Sequence, residues 1–192
     1  GLALSGNNAD RVIIVNAGTT ATVKNLTIKE GYGWQLAGGV LNNGALTLDH
    51  VTVTNNTMAT NAGDFWQGGG GIYSGSGATL NLIDSTVSNN NAAWSGGGVY
   101  SFFNTTTTII RSTISSNTSG DVGGGIRSLG NMTITNSTIS GNSAGNYPLF
   151  GIGGGIYSNG GLSLYNTTVT TNTATTGGGI YNDFYASLTV QN

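Results

Sequence analysis

The chain has 192 residues, enough for one domain with a real core. Only 6% of its residues are charged and its net charge is −2, which excludes the basic footprint of a nucleic-acid or anionic-membrane binder. Cysteine is absent, which excludes disulfides and thiolate metal sites, and no apolar run approaches the ~18 residues of a membrane helix, so no direct membrane insertion is expected.

In chain order, the first text is Leu4-Ser5-Gly6-Asn7, nearly the same as Ile139-Ser140-Gly141-Asn142 much later. The chain therefore opens inside a repeat. A first strand type begins at Ile13 and returns at Val40, Ile72, Val99, Ile126, Ile156 and Ile180. A second carries paired positions Ala21/Val23, Leu46/Leu48, Leu80/Leu82, Thr107/Ile109, Met132/Ile134, Leu162/Leu164 and Leu188/Val190. A polar corner follows at Asn25, His50, Asp84, Arg111, Asn136, Asn166 and Asn192, spaced by 25, 34, 27, 25, 30 and 26 residues. Three residues on, a third strand type holds Ile28, Val53, Val87, Ile114, Ile139 and Val169.

Alternation with period two puts one face of each strand inward. Three short strands per turn, all running the same way, predict an all-β fold: a right-handed parallel β-helix of about seven coils. The hand follows from the strong preference of parallel crossovers. Residues 1–192 read as a single domain, uncapped at both ends. Asn56, Asn90, Asn117, Asn142 and Asn172 recur where the third strand ends. They are expected to take the left-handed backbone of a tight bend and to hydrogen-bond from coil to coil. The Gly-Gly-Gly runs supply positive φ and close approach on re-entry to the first strand.

The texts "GGGIY", "GGGVY" and "GGGIR", each followed by "VSNN", "ISSN" or "ISGN", resemble the paired repeats of the polymorphic outer-membrane-protein family. The likeness spans about residues 38 to 182, with Val or Ile where that family has Phe. It implies a secreted, surface-displayed β-helix, often adhesive, and hence a secreted or cell-surface location.

Candidate chemistry is sparse. His50, Asp84 and Arg111 occupy one corner on consecutive coils, which reads either as the flank of a polysaccharide lyase or hydrolase or as a polar ladder in which Asp84 pairs with Arg111. Asp64, Asp121 and Asp183 read as isolated loop acids, so no metal and no cofactor is expected. Thr27, Thr52, Thr86, Thr113, Thr138 and Thr168 form an outward column, with Thr54, Ser88, Ser115, Ser140 and Thr170 beside it; this array resembles the ice-binding faces of β-solenoid antifreeze proteins. Tyr73, Tyr100, Arg127, Tyr157 and Tyr181 form a further column beside the first strand, which reads as a stacked ladder. Trp34, Phe65, Trp66, Trp94, Tyr147 and Phe150 lie in loops leaving one edge, a candidate binding ridge for a glycan or protein. Of the Asn-x-Ser/Thr sequons, Asn55 and Asn104 are expected to be the reachable ones.

The reading is an extracellular structural or adhesive β-helical surface protein, not an enzyme, either part of a longer rod or stacking end to end as a homo-oligomer. A carbohydrate-active enzyme is the first alternative and an ice-binding protein the second.

Overall fold

The computed structural model describes residues 1–59, 67–145 and 151–192. The chain winds as a parallel β-solenoid, and no helix occurs among the described residues. Three seven-stranded sheets run the length of the coil. Sheet A begins with Leu2–Ser5 and ends with Thr168–Thr170, sheet B runs from Ile13–Val15 to Ile180–Asn182, and sheet C from Thr20–Lys24 to Ser187–Gln191. Each strand pairs with its counterpart one coil away, in the register that the sequence period requires.

The inward columns fuse into one aliphatic core. Ile28, Val53, Val87, Ile114 and Ile139 stack from sheet A, Leu48, Leu82, Ile109 and Ile134 from sheet C, and Val40, Ile72, Val99, Ile126 and Ile156 from sheet B, all essentially without exposure. Each such side chain contributes about 1.5–3 kcal/mol by leaving water.

Two features depart from the three-strand expectation. A fourth, five-stranded sheet D is inserted after sheet A, from Tyr32–Trp34 through Thr57–Ala59, Asn91–Ala92 and Thr118–Ser119 to Ser143–Ala144. Its strands are two or three residues long, too short to carry a period. The second departure concerns the asparagine corner. The left-handed residue there is the one before the ladder: Asn55, Asn89, Ser116, Gly141 and Thr171 have φ between 51° and 64°. The ladder asparagines themselves turn inward, which frees their amides to bond along the coil axis.

That ladder is continuous. Asn56 Nδ2 donates to Asn90 Oδ1 (2.9 Å), Asn90 to Asn117 (3.0 Å), Asn117 to Asn142 (3.0 Å) and Asn142 to Asn172 (2.9 Å). The second proton of each amide goes to a backbone carbonyl, as Asn117 Nδ2 donates to Val87 O. At the first coil the backbone N–H of Gly31 donates to Asn56 Oδ1 in place of an asparagine. A serine ladder, which the sequence reading did not separate from the repeat, lines the corner between sheets C and A. Val51 N donates to Ser85 Oγ, Ser85 N to Ser112 Oγ and Ser112 N to Ser137 Oγ.

The glycine runs act as expected. Gly96 has φ of 61°, while a Cβ on Gly97 would stand 2.3 Å from two backbone oxygens, those of Gly124 and Thr118. No side chain fits between coils there.

Candidate functional site

The solenoid presents a charged corner, an aromatic flank and a hydroxyl face. The corner joins sheets C and A, and its residues His50, Asp84 and Arg111 are all left-handed, as are Asn25, Asn136 and Asn166 at the same place on other coils. A left-handed corner throws its side chain outward, so charge is tolerated there. Arg111 donates Nε to Asp84 Oδ1 (2.8 Å) and Nη2 to Oδ2 (2.6 Å), a bidentate pair. Asp49 takes Lys24 Nζ at 2.8 Å on one oxygen and meets His50 Nδ1 at 2.6 Å on the other. The Arg111 guanidinium holds the Asp84 carboxyl below its ordinary value, and Lys24, followed by His50, does the same for Asp49.

Ligand atoms of Asp49, His50 and Asp84 lie within 4.8 Å of one another, close enough to share an ion. Both carboxylates, however, already carry a cation partner. The corner is thus a neutralised ladder in which neither acid is kept protonated, whereas glycan hydrolysis by acid and base requires one that is. The other acids sit apart. Asp183 accepts from Tyr157 Oη and Asn159 Nδ2 and is held low chiefly by Tyr157, burial pushes Asp121 up, and Asp64 lies outside the described residues.

On the outer side of sheet B, Leu41, Tyr73, Tyr100, Arg127, Tyr157 and Tyr181 stand in one register column. Arg127 Cζ lies 4.9 Å from the Tyr100 ring centre and 5.8 Å from that of Tyr157, and Nη1 donates to Ser95 Oγ (2.7 Å). Tyr73 meets Tyr100 edge to face at 5.3 Å, and Phe102 packs on both. This column is covered. The segments entering sheet B fold back over it, bridged coil to coil at Leu36, Gly68, Ser95, Val122, Ile152 and Thr176. Tyr73, Tyr100 and Arg127 are consequently buried.

Of the expected aromatic ridge, Trp34 and Trp94 lie among the described residues. Trp34 closes its sheet D strand, is 55% exposed and meets Tyr32 edge to face at 5.5 Å. Trp94, on the same edge, is half-buried, and its carbonyl accepts from the backbone of Asp121 and Val122. Phe65, Trp66, Tyr147 and Phe150 lie outside the described residues. The sequons also differ from expectation. Asn55 and Asn104 are exposed, but so are Asn25, Asn131, Asn136 and Asn166, because the corners turn outward; Asn117 alone among them is buried, in the ladder.

The hydroxyl face is the most regular surface. Thr52, Thr86, Thr113, Thr138 and Thr168 pair in register, as do Thr54, Ser88, Ser115, Ser140 and Thr170. Sheet D prolongs each row with Thr57, Asn91, Thr118 and Ser143. From the second coil onward these rows contain no charged residue; Lys29 and Glu30 stand only on the first, paired at 3.1 Å.

No curated protein and no solved structure is detectably similar to this chain. A family model described as right-handed beta helix region matches residues 11–192. Since that family includes enzymes such as pectate lyases, membership leaves catalysis to be argued from the site. The parallel solenoid, its seven-fold sheets and this match together place the chain in the right-handed β-helix family.

Proposed function

We propose that this chain is a structural, adhesive-type rod of an extracellular surface, and not a catalyst. One observation carries the reading: the polar groups of the repeat are consumed in holding coil to coil. The Asn and Ser ladders run through the coil, and the Asp49–Asp84 pair of acids is neutralised by Lys24 and Arg111. What remains for solvent is a neutral coat of hydroxyls and amides. The likeness of the repeat to that of the polymorphic outer-membrane proteins supports display at a cell surface.

Core side chains stand open at both end coils, with Leu2 and Val190 largely exposed. A further coil would cover them, whether from a continuing chain or from a second copy. For the isolated 192-residue chain we propose the second copy, as a head-to-tail contact that does not close. Its rise would be roughly 34 Å per subunit, from seven coils at about 4.8 Å.

A glycan panel scored for both retention and cleavage tests the main reading. Retention without cleavage, or neither, agrees with a rod. Cleavage that disappears with Asp84→Asn overturns it in favour of a carbohydrate-active enzyme. Concentration-dependent light scattering tests the stacking separately, and a monomer at high concentration removes it.

A further inference from the structure

The hydroxyl face has properties that a scaffold does not require. Each coil from the second onward repeats one row across sheets A and D: Thr52, Thr54, Asn55 and Thr57, then Thr86, Ser88, Asn89 and Asn91, then Thr113, Ser115, Ser116 and Thr118, and so on. The rows repeat about every 4.8 Å along the coil axis, and within a strand outward groups repeat about every 6.7 Å. The inserted residues of the long coils fall elsewhere, after sheet D, so none interrupts this register.

Three observations limit what could occupy such a face. First, hydroxyls both donate and accept, and the absence of charge means that no group holds a tight hydration shell of its own. Second, the positions are fixed before any contact. Threonine is stiff at χ1, and the Asn ladder beneath ties each coil to the next. Third, no aromatic side chain stands among these rows after the first coil, so they lack the stacking platform of a site for a single sugar chain. A ligand touching every row at once must share the translation of the rows in two directions. A folded macromolecule does not; a crystal does.

We propose that the outer face of sheets A and D binds crystalline water. The hydroxyl and amide rows anchor a layer of water whose spacing is set by the protein, and that layer joins the ice lattice. Fixed, uncharged groups make this favourable because little conformational entropy remains to be lost on contact.

The test is partition of the intact chain into slowly growing ice, together with inhibition of ice recrystallisation. Expected results are enrichment of the wild-type chain in the ice fraction over an unrelated β-rich protein, and loss of that enrichment in Thr113→Tyr and in Thr138→Lys. Thr108→Tyr, on the outer face of sheet C, should retain it. Circular dichroism of the three variants checks that the solenoid persists, and the two substitutions on the face, one bulky and one charged, fail to fold for different reasons if they fail at all. Wild-type protein left in the liquid overturns the proposal, and so does a Thr108→Tyr loss equal to that of Thr113→Tyr. Equal retention on powdered cellulose or chitin also overturns it, since it would mean general affinity for hydroxylated solids.

Discussion

The outer faces of sheets A and B grow from the same repeat and back onto the same aliphatic core, yet they have opposite fates. Sheet A shows Thr and Ser in half-exposed columns, with none of the described residues laid over them. Sheet B carries Tyr73, Tyr100 and Arg127 on its outer side, and these are as buried as much of the core. The difference arises from the short segments that enter sheet B. Bridged coil to coil at Leu36, Gly68, Ser95, Val122, Ile152 and Thr176, they give that flank a second layer, which the described residues do not give sheet A. A solenoid with one insertion edge is thereby divided into a stabilising flank and a free one.

The sharpest way to break this contrast is to empty the covered flank. Tyr100→Ala removes a ring packed between Tyr73, Phe102 and Arg127, and should destabilise by about 3–5 kcal/mol in chemical denaturation. Tyr100→Phe sharpens the point: the phenol oxygen is buried with no hydrogen-bond partner, so its removal should be neutral or stabilising.

Next comes the ladder that both flanks share. Asn117→Ala takes the acceptor from Asn90 N and from one Nδ2 proton of Asn90, whose other proton keeps Val53 O, and it removes a donor from Val87 O; a loss of roughly 3 kcal/mol follows from these broken bonds. Urea unfolding with an unchanged slope would confirm a pure stability effect.

The two flanks should then separate by pH. Burial, with Tyr100 adding to it, pushes the Tyr73 phenol up to about 12. In the unfolded chain tyrosine ionises near its usual value of about 10. The neutral buried ring therefore contributes stability that is complete below about pH 10 and is lost as pH rises through the folded value. Thermal melts between pH 9 and 12 should show this fall, and Tyr73→Phe should lessen it. From the second coil onward the sheet A strands carry no titratable side chain.

The smallest effect belongs to the bare face. Thr113→Ala should change stability by no more than about 0.5 kcal/mol, since the residue touches solvent on one side and its ladder partners are backbone. A larger loss would mean that the face is held for the fold and not left free.

The seven coils, the inward columns, the threonine rows and the Asp84–Arg111 pair were legible because each is a period-two or coil-period pattern, and a stacked repeat places equal positions directly over one another. Even Arg127 in a tyrosine column could be read as a stacking cation from its position alone. The fourth sheet was not legible, because strands of two or three residues such as Asn91–Ala92 are too short for alternation to declare itself. The serine ladder was hidden in the Ser-Thr-Val/Ile text, where a buried Ser looks like one more solvated hydroxyl until the backbone N–H of the neighbouring coil is seen to need it.

What the sequence by itself determined is the vertical order of this protein: which residue stacks on which, and hence the core, the asparagine spine and the neutral rows. What only the tertiary structure decided is lateral. Whether Asn55 or Asn56 takes the left-handed bend, and which flank the loops cover, depends on side-chain amides finding partners and on chain segments crossing between columns. Repetition fixes neighbours along the coil axis because every coil makes the same contact there. Around the coil each contact occurs between different parts of the repeat, and a period carries no information about those.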